Sequence, residues 1–175
     1  MKKKHIILLT LFVSILGNVY SQVWDHPFFE IDIPSTWRNM TPVRDISKPV
    51  RELNNIRIYK DVRLTPMVDG GQLSVEIFEH RNGQKLNYQD FLYFLTDGKV
   101  INEQFIKTNN FKSHQRDQIT EIEYRGEMLL YFNTVWHIQG DKRVYRFIWG
   151  SYNEKLYNEE LGLVEKSLKS FSEKP

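Results

Sequence analysis

The 175-residue sequence contains no cysteine. No disulfide can form, so a folded domain has to be held by its core. Cysteine-ligated zinc, iron–sulfur clusters and thiol nucleophiles are excluded with it. Long hydrophobic runs are nearly absent. The main one, Ile6 to Leu16, is 11 residues, whereas a bilayer span takes about 20. The common catalytic signatures are missing too: there is no Gly-x-Ser-x-Gly, no phosphate-binding glycine loop and no His-Glu-x-x-His. Gly70-Gly71 has no lysine after it and reads as a turn. Internal repeats, low-complexity segments and linkers are lacking. So is an excess of one charge: 24 Lys and Arg stand against 22 Asp and Glu, net +2.

What is present starts with a leader. Lys2, Lys3 and Lys4 precede the short apolar run, and Val19 and Ser21 are small enough for the −3 and −1 positions of a signal peptidase site. The expectation is a signal peptide over residues 1–21, cleavage before Gln22, and a single domain over residues 22–175. The leader carries three Lys and no acid, leaving 21 basic against 22 acidic residues. The electrostatic case for nucleic acid or an anionic membrane goes with it. No cysteine follows the cleavage position, so no lipid anchor is expected there, and the mature chain has no transmembrane segment. The expected location is periplasmic or secreted. Aromatic residues make up 14%, enough to core a chain of about 150 residues, a size that buries roughly two-thirds of its unfolded surface.

Apolar residues concentrate in the last third, Glu127 to Phe171. Two long strands joined by a turn at Gly140-Asp141 are predicted, since Gly-X suits a two-residue hairpin turn. That turn would pair Trp136 with Tyr145, Thr134 with Phe147 and Phe132 with Trp149. All six share one face with Ile138, Leu130 and Met128. The other face is mixed: Tyr131, Asn133, Val135, His137, Val144, Arg146 and Ile148. A helix follows, capped by Asn158, with an apolar stripe of Leu161, Val164, Leu168 and Phe171. The stripe fits the aromatic face of the hairpin.

Upstream, Phe29, Ile31 and Ile33 alternate with Glu30 and Asp32, a half-buried strand ended by Pro34. Trp37 then tucks against the sheet. Arg38 to Leu53 reads as an irregular connection, and Thr65 to Gly71 as a loop. Strands are expected around Ile56 and Ile58, and around Leu73, Val75 and Ile77. Asn87 caps a helix with a stripe of Tyr88, Phe91, Leu92 and Leu95, closed by Gly98. Val100 to Lys107 is read as an extension of that helical region. Phe111 to Gln118 and Ile119 to Tyr124 are two further strands. The order implies an α+β fold, an α/β/α sandwich on a mainly antiparallel sheet.

The segment Phe29-Glu30-Ile31-Asp32-Ile33-Pro34 followed by Trp37, then Arg143-Val144-Tyr145-Arg146-Phe147 after a Gly-Asp turn, then the closing Leu168-Lys169-Ser170-Phe171, together resemble the PsbP-like superfamily. That superfamily includes the oxygen-evolving-enhancer proteins of photosystem II and many exported bacterial proteins. The resemblance implies a non-catalytic binding or assembly role and carries over no ligand residues. Nothing in the chain points to photosynthesis.

Four histidines follow the leader: His26, His80, His114 and His137. His80 beside Glu79, and His114 three residues before Asp117, are the pairs with metal-ligand character. The sequence does not say whether they converge, and the plainer reading is a solvated or hydrogen-bonded imidazole. Asp117, Glu121, Glu123 and Glu127 form an acidic run. Glu121, Glu123 and Glu127 are expected largely on one face, where paired carboxylates could do acid/base work but more often form a solvated face. Trp24, Tyr59, Phe78 and Tyr131 are candidates for aromatics outside the main core. The leading expectation is therefore a non-enzymatic exported module that binds a protein partner or supports an assembly in the cell envelope. It has no catalytic residue and no cofactor. A small-ligand or metal-binding periplasmic protein is the alternative, and a hydrolase built on the glutamate row is a third.

Overall fold

The computed structural model describes residues 21–39, 45–64, 70–94 and 98–175. The leader, Leu95, and parts of the two connections before Gly70 lie outside them. Within the described residues eleven strands are formed: β1 Ser21–His26, β2 Phe29–Pro34, β3 Arg38–Asn39, β4 Arg51–Leu53, β5 Ile56–Leu64, β6 Gln72–His80, β7 Lys99–Thr108, β8 Phe111–Tyr124, β9 Glu127–Gln139, β10 Arg143–Ser151 and β11 Ser172–Glu173. Among the described residues one α-helix, α1, spans Glu154–Leu168, and a 3-10 helix spans Tyr88–Phe94. The main sheet runs β3-β5-β6-β10-β9-β8-β7, with β4 also on β5. A small sheet runs β1-β2-β11. The pairings are antiparallel throughout.

One face of the main sheet carries the core. Trp24, Phe29, Ile31 and Ile33 from the small sheet, and Tyr157, Val164 and Leu168 from α1, pack onto Leu73, Val75, Ile77, Trp136, Ile138, Tyr145, Phe147 and Trp149. Trp37 stacks on Trp149 with ring centroids 5.7 Å apart. The Trp24 indole N–H donates to the buried Asp61 carboxylate at 2.9 Å. The opposite face holds a small cluster of Phe78 and Val144 under Tyr88 and Phe91 of the 3-10 helix. The class is α+β. Among the described residues the α-helix covers one face and the 3-10 helix covers part of the other.

The organising hairpin forms with its faces as read but its register two residues away. Tyr145 faces Ile138, Phe147 faces Trp136, and Trp149 faces Thr134. The turn centres on Asp141-Lys142, because the Gly140 N–H donates to the Arg143 carbonyl at 2.9 Å. A two-residue shift preserves the faces, whereas a one-residue shift would invert them. Leu130 and Met128 share the parity of the core face but are exposed, because β10 stops opposite Phe132.

Other local corrections follow from packing. Helix α1 begins a turn earlier than read. Asn153, not Asn158, is its N-cap, and its side chain accepts the Leu156 N–H at 3.1 Å. That earlier start lets Leu156 and Tyr157 join the buried stripe. The Asn87 side chain does open a helix, accepting the Gln89 N–H at 3.1 Å, but the helix is 3-10. Val100 to Lys107 lies within a strand, not a helix. Phe111 to Tyr124 is one strand of 14 residues rather than two. The turns at Asn54-Asn55 (φ 49° and 64°) and Arg125-Gly126 (φ 54° and 83°) are left-handed at both central positions, the geometry that matches strand twist in two-residue hairpins.

Candidate functional site

The face of the sheet away from α1 carries a row of side chains that crosses six strands. Cross-strand register places Lys60, Glu76, Arg146, His137, His114 and Phe105 side by side, from β5 to β7. Arg146 Nε donates to Glu76 Oε2 at 2.8 Å, and Lys60 Nζ lies 3.7 Å from Glu76 Oε1. At the other end, Glu103 accepts from Arg116 at 2.7 Å and sits 2.7 Å from His114 Nε2. These partners hold the Glu103 carboxyl below the usual carboxylate range, with the Arg116 hydrogen bond the largest cause and burial opposing it.

His114 and His137 are fully buried neighbours, ring centroids 6.0 Å apart. Among the described residues, both nitrogens of His137 and Nδ1 of His114 meet no hydrogen-bond partner. Burial pushes the His137 pKa down to about 3, helped by Arg146, His114 and Arg116. His137 is thus a neutral imidazole at physiological pH. His80 lies elsewhere, at the end of β6, where Nδ1 accepts the Asn82 N–H at 3.2 Å. His26 stacks on Phe29 at 4.7 Å. Among the described histidines, His114 and His137 are the pair that comes together. Among the described residues no group of three or more His, Asp or Glu side chains is placed to hold a metal ion.

Beside the row, toward Gly150, the sheet is concave. A cavity of about 320 Å³ is lined by Lys60, Gln72, Ser74, Glu76, Arg146 and Ile148 from β5, β6 and β10, and by Gln118, Thr120, Ile122, Tyr131, Asn133 and Val135 from β8 and β9. The Tyr131 ring lies across Gly150, where a Cβ would meet its hydroxyl at 2.2 Å. Burial, and then neighbouring Tyr152, raise the Tyr131 hydroxyl to about 12, so it remains a protonated donor.

A second feature is an arm. Strand β7 pairs with β8 only as far as Ile119, and β10 pairs with β9 only as far as Phe132. Among the described residues, therefore, residues 120–131 form a two-stranded ribbon with no flanking strand. It exposes Tyr124 (56%), Met128 (61%) and Leu130, with Tyr152 exposed near its base, where that ring lies 4.9 Å from Tyr131.

Of the acidic run, Asp117 stays within the sheet, accepting from Thr134 Oγ1 at 2.8 Å and Asn102 Nδ2 at 3.1 Å, and the three glutamates fall on this arm and divide. Glu121 and Glu123 share a face of β8, whereas Glu127, beyond the turn and opposite Tyr124, lies on the other. All three are exposed, which is the solvated-face reading. Of the aromatics expected outside the core, Trp24 and Tyr59 are inside it, Phe78 is in the second cluster, and Tyr131 is half-buried. Sequence reasoning did not single out Ser74, Gln118, Asn133 or Arg146. The available signal was the mixed face of the hairpin, where polar residues sit between apolar ones in strands of high β-propensity.

No protein-family model matches the sequence, and no curated protein is significantly similar to it. Solved structures are similar in fold. Cyanobacterial PsbP from Synechocystis aligns with a TM-score of 0.56 at 11% identity, covering 91% of this chain and 95% of that one. LpqN of Mycobacterium tuberculosis, described as involved in cell envelope biogenesis, aligns with a TM-score of 0.55 at 10% identity, covering 93% and 95%. A Bacteroides thetaiotaomicron protein aligns with a TM-score of 0.52 at 10% identity; the match covers 89% of this chain but 48% of that one, about half its length. No described helix is long and apolar enough to cross a membrane. At these identities the likeness is one of fold, and the fold of this chain is PsbP-like.

Proposed function

We propose that the protein is an exported, non-enzymatic module that binds a protein partner in the cell envelope through its projecting arm. The observation that carries this reading is the arm itself. An isolated two-stranded ribbon is marginal in water, and exposed apolar side chains clustered on one feature mark interaction surfaces. Met128 and Leu130 project from one face of the arm and Tyr124 from the other, with Tyr152 exposed at its base. Glu121, Glu123 and Glu127 against Arg125 leave the arm net acidic, so the complementary partner surface is apolar with a basic rim.

The export part of the proposal rests on the leader. Cleavage before Gln22 would keep the side chain that ties β1 to the rest of the fold. Gln22 Nε2 donates to the Trp37 carbonyl at 2.6 Å and to the Pro34 carbonyl at 3.2 Å. The likeness in fold to an envelope-biogenesis protein agrees with that location. None of the arm glutamates lines a described cavity, so the hydrolase reading gains nothing.

The test is site-specific photo-crosslinking in the native envelope. A photoreactive residue at Met128 should give one dominant adduct that the same residue at Lys155, on the exposed start of α1, does not give. Tyr124→Ser with Met128→Glu should abolish stoichiometric capture by the tagged protein. Equal labelling at both positions, or capture that survives both substitutions, would refute the arm as the docking element.

A further inference from the structure

The cavity beside the charged row has the composition of a ligand site rather than of a core. Its floor holds Ser74, Gln118 and Asn133, which are 4%, 2% and 3% exposed. Central strand positions this deep are normally apolar. A polar group held there without good partners costs on the order of 1–3 kcal/mol. The hydrogen bonds of Asn133 are poor: Nδ2 reaches Thr120 Oγ1 and the Tyr131 carbonyl only at 3.4 Å, near the outer limit of a useful hydrogen bond. Three buried polar side chains converge on one hollow, under the Tyr131 hydroxyl, and present hydrogen-bonding groups suited to hydroxyl or carbonyl oxygens.

The remaining lining sets the ligand's charge and shape. Lys60 and Arg146 flank the Glu76 carboxylate at the charged end of the cavity. Val135, Ile148 and Ile122 supply apolar surface for C–H faces. The volume, about 320 Å³, falls at the small end of ligand pockets, roughly 300–1,000 Å³.

We infer that this cavity binds a small hydroxylated monocarboxylate, the chemical class of the sugar acids. Its carboxylate faces Lys60 and Arg146, and its hydroxyls face Ser74, Asn133, Gln118 and Tyr131. The inference does not need the arm to be a docking element: the cavity uses the sheet face and, at the base of the arm, Thr120, Ile122 and Tyr131, and it would stand if the protein partner were never found.

The probe is D-glucuronate, with D-glucose as the neutral control, titrated into the ¹⁵N-labelled mature protein. Saturable shifts centred on residues 72–76, 118–120, 131–135 and 146–150 with glucuronate, and none with glucose at the same concentration, are expected. Lys60→Gln removes a cation at an exposed position and should weaken binding about fivefold, an exposed charge contact being worth at most about a kilocalorie per mole. Asn133→Leu should weaken it about tenfold or more while leaving the melting temperature unchanged or raised, because it replaces a poorly bonded buried amide with an apolar side chain. No saturable shift, shifts of equal size with glucose, shifts that map away from the cavity, or affinity unaffected by both substitutions would each overturn the inference. A fall in melting temperature for Asn133→Leu, with glucuronate affinity kept, would assign Asn133 to the fold alone and also overturn it.

Discussion

The Glu173 carboxylate occupies the space that a side chain on Gly140 would fill. A Cβ at Gly140 would lie 2.6 Å from Glu173 Oε2 and 2.7 Å from Oε1. The same carboxylate accepts the Asp141 N–H, lies 3.0 Å from the Tyr145 hydroxyl and 3.8 Å from Arg143. The C-terminal residues thus latch the turn of the central hairpin. Gly140 is required by this close approach and not by backbone conformation, since its φ is outside the left-handed region.

Gly140→Ala should therefore destabilise by about 1–3 kcal/mol, the usual cost of overpacking plus a disturbed charged hydrogen bond. The cost should largely vanish in a Glu173→Ala background, where the space is free. A double-mutant cycle by urea denaturation measures this. Purely additive effects would mean that Glu173 does not hold the turn.

The position of the helix cap gives a second prediction. The Asn153 side chain accepts the Leu156 N–H, so Asn153→Ala should cost about 1 kcal/mol. Asn158 lies in the second turn and is exposed. Asn158→Ala should be neutral or slightly stabilising, alanine being the better helix former. Thermal melts of the two variants separate the cap assignments.

These cases show why some features could be read from the chain and others could not. Phe29, Ile31 and Ile33, and the aromatic face of the hairpin, are buried on one side only, so period-two alternation exposes them. The hairpin register was read two residues out because face patterning is blind to a shift of two, and the apparent turn glycine serves Glu173 instead. Strand β7 was missed because it is an edge: exposed almost throughout, it shows no alternation. The cavity was hidden for a related reason. Ser74, Gln118 and Asn133 come from three strands, and only register brings them together. The pairing of His114 with His137 is likewise a product of register.

The arm should be the most labile part of the sheet. Its ladder is closed on neither side among the described residues, so local opening needs only its own few contacts to break. Amides of residues 121–130 should exchange with deuterium much faster than those of residues 133–138, which lie between two paired strands. Met128→Glu, at an exposed position, should change stability by less than about 0.5 kcal/mol. Strong protection of the arm in the isolated protein would mean that it already packs against a second copy of the chain.

The last prediction concerns pH. His137 is buried among Arg146, His114 and Arg116, with Phe105 across the sheet beyond His114. Its pKa falls to about 3 in the folded protein, against about 6.5 in an unfolded chain. As pH drops below about 6.5 the unfolded state takes up a proton that the folded state refuses. Stability is lost through that window, and the loss ends only near pH 3, where the folded state is protonated too. Between pH 7 and pH 5 the imidazole should cost about 2 kcal/mol of stability. The Glu103 carboxyl, depressed by Arg116 and His114, has the usual carboxylate sign. Its contribution is lost only at lower pH, as its folded-state proton is taken up, so it leaves the higher window to His137. His137→Leu should flatten the pH 7 to pH 5 dependence of the urea midpoint relative to wild type. An unchanged slope would mean that His137 is charged or solvated in the native state, contrary to its burial.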